Sequence, residues 1–150
     1  MRATNVSQKV VKLEQRPDGK YVAKTEVKSA TVEVNTNTHG PDWVDKSKAT
    51  QPAQQEWNRF SGALNTHEGN HESTMVAGAQ SADAQIPGTQ GNGVGNTPDE
   101  AVANASQDAQ NQVDQTVQQE AQNADQQNQQ YDQKTNHGAT EGAVLNTKVK

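Results

Sequence analysis

Residues 67–71 read His-Glu-Gly-Asn-His, an order of side chains with a specific chemical use. On a helix, histidines at i and i+4 project from one face and can share a single Zn²⁺. The carboxylate between them, Glu68, then reaches the water that zinc would activate. It is the expected general base of a peptide-bond hydrolase, taking a proton from that water and passing it to the leaving amine. His67 and His71 are therefore candidate metal ligands. A catalytic zinc usually takes three protein ligands and keeps a fourth position open. Histidines occur at 39, 67, 71 and 137. His137 is the expected third ligand, because it follows a helix end and precedes Gly138, where a short turn can aim a ring back across the core. Asp132, Glu141 and His39 are the rival donors. Tyr131 is a candidate catalytic donor to the oxyanion formed during attack. Asp132 and Glu72 are candidates to orient the ligand imidazoles.

The elements that must position these residues are legible as patterns. Trp57, Phe60, Leu64, His67, His71 and Met75 fall at intervals of three and four, so residues 52–78 are expected to form one helix with both histidines on its apolar face. The shared face argues against a chance match on a polar surface helix. Thr50 and Pro52 mark that helix's start. Upstream, two rough alternations around Arg16-Pro17-Asp18-Gly19-Lys20 predict a hairpin or small meander over residues 5–35. Downstream, the glycines at 88, 91, 93 and 95 read as a flexible loop over 87–97. Thr97-Pro98-Asp99-Glu100 is a helix start. It opens a long Gln/Asn-rich helix over 98–134 whose narrow stripe includes Val102, Ala105, Ala109, Val113 and Val117. Ala143-Val144-Leu145 is expected to add a short strand or to pack over the hairpin. The expected fold class is α+β, one domain over 1–150, with a small antiparallel sheet followed by two long helices.

Composition narrows the function classes. Only 29% of residues are hydrophobic and 3% aromatic, and mean hydropathy is -1.08. The core must be thin, and a bound metal would supply part of the folding energy. Net charge is -5 with no basic patch, which argues against nucleic acid as the main partner. No apolar run reaches the roughly 20 residues that a membrane span requires. The first residues lack a signal-peptide pattern, so the chain is expected to be leaderless or already processed. With no cysteines, disulfides and thiolate zinc sites are excluded.

Taken together, Pro41-Asp42-Trp43, then Trp57-x-x-Phe60-x-x-x-Leu64-x-x-His67-Glu68-x-x-His71, then Tyr131-Asp132-x-x-Thr135-x-His137-Gly138 resemble a bacterial family of predicted secreted zinc-dependent proteases. The resemblance runs from the first strand to about Gly142. It implies a zincin-like metallopeptidase with Zn²⁺ on His67, His71 and His137, and with Glu68 as base. It also implies a secreted or periplasmic setting, although the first residues show no leader pattern. The expected partner is a peptide or protein substrate, cell-wall peptide included. The alternatives are a non-catalytic zinc-stabilised module of a virion or cell surface, and an interaction protein working through its Gln/Asn-rich helix.

Overall fold

The computed structural model describes residues 1–150 and has an α+β fold. Strands β1 (Arg2–Gln15), β2 (Tyr21–Glu33) and β3 (Gln90–Gly95) form one antiparallel sheet in the order β1-β2-β3. Helix α1 covers Gln51–Gln85 and α2 covers Pro98–Thr135. A 3-10 turn at Ala139–Glu141 follows α2. No helix is long and apolar enough to cross a membrane.

Local chemistry accounts for the element boundaries. The β1–β2 hairpin closes where Gly19 adopts a positive φ of 86° and the Asp18 carboxylate accepts the Lys20 N–H at 3.0 Å. At the head of α1, the Thr50 hydroxyl accepts the Ala53 N–H. At the head of α2, Thr97 accepts the Glu100 N–H at 3.2 Å, and Glu100 reaches back to the Asn96 N–H at 2.9 Å. α1 runs seven residues past the expected end at 78 because its apolar stripe continues. Ala79 and Ala82 are buried on it, and buried Ile86 follows directly.

The chain divides into two compact units. The first comprises Met1–Asn35 and Val76–Asn123. Its core joins Val27 of β2, Ala82 and Ile86, and Ala109, Val113 and Val117 of α2, with a second cluster of Ala23, Ala101 and Ala105. Val27, Ile86 and Val113 are its largest fully buried apolar side chains, each contributing on the order of 1.5–3 kcal/mol.

Here the glycine-rich segment departs from the expectation of a flexible loop over 87–97, since its central residues are the edge strand β3. The reason is steric. Gly91, Gly93 and Gly95 alternate as buried positions facing α2. A Cβ on Gly91 would lie 1.9 Å from the Ala105 carbonyl oxygen, and one on Gly93 would lie 2.2 Å from the Ala105 nitrogen. Glycine at every second residue leaves a strand face on which helix backbone can rest directly.

The second unit comprises Thr36–Met75 and Ala124–Lys150. It holds about the first seven turns of α1, the last turns of α2, and the segment after them. Trp43, Trp57 and Phe60 form an aromatic run with successive ring centroids 5.6 Å apart. These rings are half-buried. The expected strand at Ala143–Leu145 does not form, and that segment is held in irregular conformation by side chains of α1.

Candidate metal centre

Helical periodicity sets His67 and His71 one turn apart on α1, and the end of α2 brings Asp132 to them. His67 is 3% exposed, although it is polar. Its Nε2 lies 3.1 Å from Asp132 Oδ1 and 3.1 Å from His71 Nε2, while His71 Nε2 lies 2.8 Å from the same Asp132 oxygen. One donor atom from each of the three residues falls within 4.8 Å of the others.

The other nitrogen of His67 decides what that convergence means. Nδ1 lies 2.8 Å from Glu141 Oε2. A carboxylate only accepts, so this nitrogen carries the proton, and in the neutral ring Nε2 is left as a lone pair. That lone pair faces a carboxylate oxygen and a second imidazole nitrogen. His71 can donate one proton into the group, but the contact between His67 Nε2 and Asp132 Oδ1 then remains lone pair against lone pair. A cation resolves it, as either an extra proton or a metal ion.

The donor set also fits zinc by size and type. Ligand atoms about 2.0–2.1 Å from a tetrahedral ion stand about 3.3 Å apart, so the 2.8–3.1 Å separations need only a small outward adjustment. Two imidazoles and a carboxylate are a common zinc ligand set.

The surroundings hold these groups in place. The Tyr131 ring stacks on His67 at 4.8 Å and 20°. Its hydroxyl donates to Glu141 Oε1 at 2.6 Å and accepts from the Asn70 amide at 2.7 Å. Burial, followed by the hydrogen bond to Glu141, pushes the Tyr131 hydroxyl above its ordinary pKa. Hydrogen bonds from Tyr131 and then from His67 hold Glu141 below the usual carboxylate range. For Asp132, burial pushes upward, but the positive charge shared by the facing His71 and His67 imidazoles outweighs it, so this carboxyl also sits low.

The turn after α2 is built to approach this closely. Asn136, His137 and Gly138 are consecutively left-handed, with φ of 48°, 52° and 81°. The two non-glycine positions carry strain of order 1–2 kcal/mol each. It is offset by bonds such as His137 N–H to the Asp132 carbonyl at 2.8 Å and Gly138 N–H to Thr135 Oγ1 at 3.1 Å. A Cβ on Gly138 would stand 3.0 Å from His67 Cγ, so only glycine lets the turn lie against the ring.

The structure places His67 and His71 together, and the third donor atom beside them belongs to Asp132. Asp132 occupies the place assigned to His137, whose side chain is 80% exposed with Nδ1 3.7 Å from the outer oxygen of Asp132. The left-handed φ of His137 turns its side chain outward, while Asp132, still within α2, faces α1. Glu141, a rival ligand by sequence, instead partners His67 Nδ1. Glu72 does not orient an imidazole, since its carboxylate accepts the Thr36 hydroxyl at 2.8 Å. The Tyr131 hydroxyl, a candidate oxyanion donor by sequence, donates to Glu141 here. Glu68 is half-buried beside His67, and His39 is exposed in irregular chain. Asn70 joins the site without a sequence assignment. Its place inside the five-residue motif, one turn from where Tyr131 packs, was the available signal.

The family model described as "Bacterial protein of unknown function (DUF922)" matches residues 3–138. That stretch contains His67, Glu68, His71, Tyr131, Asp132 and His137. No curated protein and no solved structure matches the chain. The chain belongs to this bacterial family.

Proposed function

For this member of a family without an assigned activity, we propose a zinc-dependent metallopeptidase. The observation that carries the reading is the convergence of His67 Nε2, His71 Nε2 and Asp132 Oδ1, with the His67 proton held on the opposite side by Glu141. The two imidazoles and the Asp132 carboxylate are the groups that would hold the ion. Zinc, when bound, supplies a Lewis acid that polarises a carbonyl and lowers the pKa of water to about 7.

The remaining chemistry falls to the chain. Glu68 accepts the proton of the attacking water and returns it to the leaving nitrogen, a role usually worth about 10²–10⁴ in rate. Glu141 keeps His67 in one tautomer, so that Nε2 is always the free donor. Tyr131 acts through Glu141 and by stacking on His67, as a positioning residue. The substrate class is peptide bonds in peptides, proteins or cell-wall crosslinks, encountered outside the cytoplasm.

The burial of His67 beneath Tyr131 favours a second reading, a structural ion that ties α1 to the end of α2 without turnover. In that case the exposed His137 ring, already near Asp132, would swing in as a fourth ligand.

The test is elemental analysis of protein purified without added metal, followed by peptide hydrolysis with and without chelator. One zinc per chain and chelator-sensitive cleavage are expected. Glu68→Gln should retain the zinc and lose at least about a hundredfold in turnover. Full activity in Glu68→Gln would refute the mechanism. Zinc without any hydrolysis, weakened by His137→Ala, would establish the structural reading.

A further inference from the structure

Glu141 holds the proton of a buried histidine, yet its own side chain is 31% exposed. Burial therefore does not set its position, and its backbone must be fixed from both sides. On one side, Glu141 N–H bonds to the Gly138 carbonyl at 3.0 Å, anchoring it to the left-handed turn. On the other side the anchor is a single turn of α1. Arg59 Nη1 donates to the Gly142 carbonyl at 2.8 Å, and Arg59 Nη2 donates to the Val144 carbonyl at 2.7 Å. Glu56 Oε1 accepts the Asn146 N–H at 2.8 Å. Glu56 and Arg59 are joined by two further bonds, at 2.8 and 2.6 Å.

Residues 142, 144 and 146 are thus bound at every second position, as a neighbouring strand would bind them. Here the partner is a pair of side chains. The guanidinium suits the task because its planar fork offers donors in several directions at once, whereas an ammonium offers only a point charge. Without the clamp, the chain at Gly142, with φ 89°, would be tied to the turn only by the Gly142 N–H to the Ala139 carbonyl at 3.2 Å and the Ala143 N–H to the Gly138 carbonyl at 3.0 Å, with nothing holding residues 144–146.

We propose that Arg59, braced by Glu56, is a positioning residue for the His67 imidazole, acting through the backbone of residues 142–146 and the Glu141 carboxylate. The inference rests on the metal reading only for its consequence. The hydrogen-bonded tautomer of His67 is a property of the metal-free chain.

The experiment compares wild type, Arg59→Ala, Arg59→Lys, Glu141→Ala and the Arg59→Ala/Glu141→Ala double variant at one fixed pH. Imidazole ¹⁵N spectra of the metal-free proteins report the His67 tautomer, and chelator competition reports zinc affinity. Wild type should show His67 Nδ1 as a single protonated, Glu141-bonded nitrogen, whether or not a second proton sits on Nε2. Arg59→Ala should show mixed tautomers and zinc binding weakened about 10- to 100-fold, the range for loss of an outer-shell partner. Arg59→Lys should fall between them. The double variant should be no worse than Glu141→Ala, because the two residues act in series.

Unchanged tautomer and affinity in Arg59→Ala would overturn the proposal, as would additive losses in the double variant. Should Arg59→Ala fail to fold, a wild-type tautomer and affinity in Arg59→Lys would overturn it equally. If wild type takes up no zinc while Arg59→Ala still shifts the tautomer, the metal reading fails and the positioning role stands.

Discussion

In the unit of Met1–Asn35 and Val76–Asn123, the closest approaches are between backbones, with glycines of β3 under alanines of α2. In the unit of Thr36–Met75 and Ala124–Lys150, the closest approaches are between polar side chains. The same two helices contribute to both. The first unit gains packing contacts by removing side chains, so its interior tolerates no added atom. The second gathers polar groups around His67, with Glu141, Tyr131 and Asn70 joined by hydrogen bonds and three donor atoms converging beside them, so its interior is sensitive to a lost charge. One construction gives rigidity from composition poor in large apolar residues, while the other gives a site.

The largest effect should come from adding a methyl group to the first unit. Gly93→Ala would set a Cβ 2.2 Å from the Ala105 nitrogen and 2.3 Å from the Ala101 carbonyl. A loss of about 3 kcal/mol is expected, with outright misfolding as the extreme. Denaturant unfolding measures it, and a change below about 0.5 kcal/mol would show that α2 does not rest on bare strand backbone.

Acid should separate the units more gently. Glu56 is lowered from its ordinary value to about 2, chiefly by its hydrogen bonds to Arg59 and the Asn146 N–H. Asp132 and Glu141 are also held low. Carboxylates depressed in the fold stabilise it fully above their ordinary pKa, and that contribution is lost as pH falls toward the folded value. Between about pH 4.5 and 2, the second unit should therefore loosen first. Both tryptophans, Trp43 and Trp57, lie in it and report it by fluorescence, while amide exchange at Ala23 and Val27 follows the first unit. Simultaneous loss of both signals would break the contrast.

The smallest effect has the opposite sign. Gly62 lies within α1, in the second unit, with nothing within 4 Å of an added Cβ. Gly62→Ala should stabilise by about 0.5–1 kcal/mol through helix propensity alone. A loss in thermal stability would mean that hidden contacts also limit this unit.

The contrast also explains what could be read beforehand. Both helices, the hairpin and the α2 cap followed from periodicity and from Thr97-Pro98-Asp99-Glu100, because local rules govern them. The glycine segment reads as a loop in sequence but folds as a strand, because glycine permits both a loose loop and the tightest packing. The distinguishing signal was its two-residue period beside alanines at 101, 105 and 109, a correlation between segments and not within one. His67 and His71 were legible since one helix fixes both. The choice of Asp132 over His137 depended on three successive left-handed residues, Asn136 to Gly138. Composition does not announce such a turn when two of the three are not glycine.

The meshing of β3 with α2 has a numerical consequence. Two strand residues advance about 6.8 Å and four helix residues about 6.0 Å, so glycine notches and alanine teeth run nearly in step. They lose about 0.8 Å at each step. Three notches, Gly91, Gly93 and Gly95, engage the helix between Glu100 and Ala109. A longer rack would fall out of phase, while a shorter one would let the helix slip by a tooth, so three is close to the number that sets α2 at a single height on the sheet.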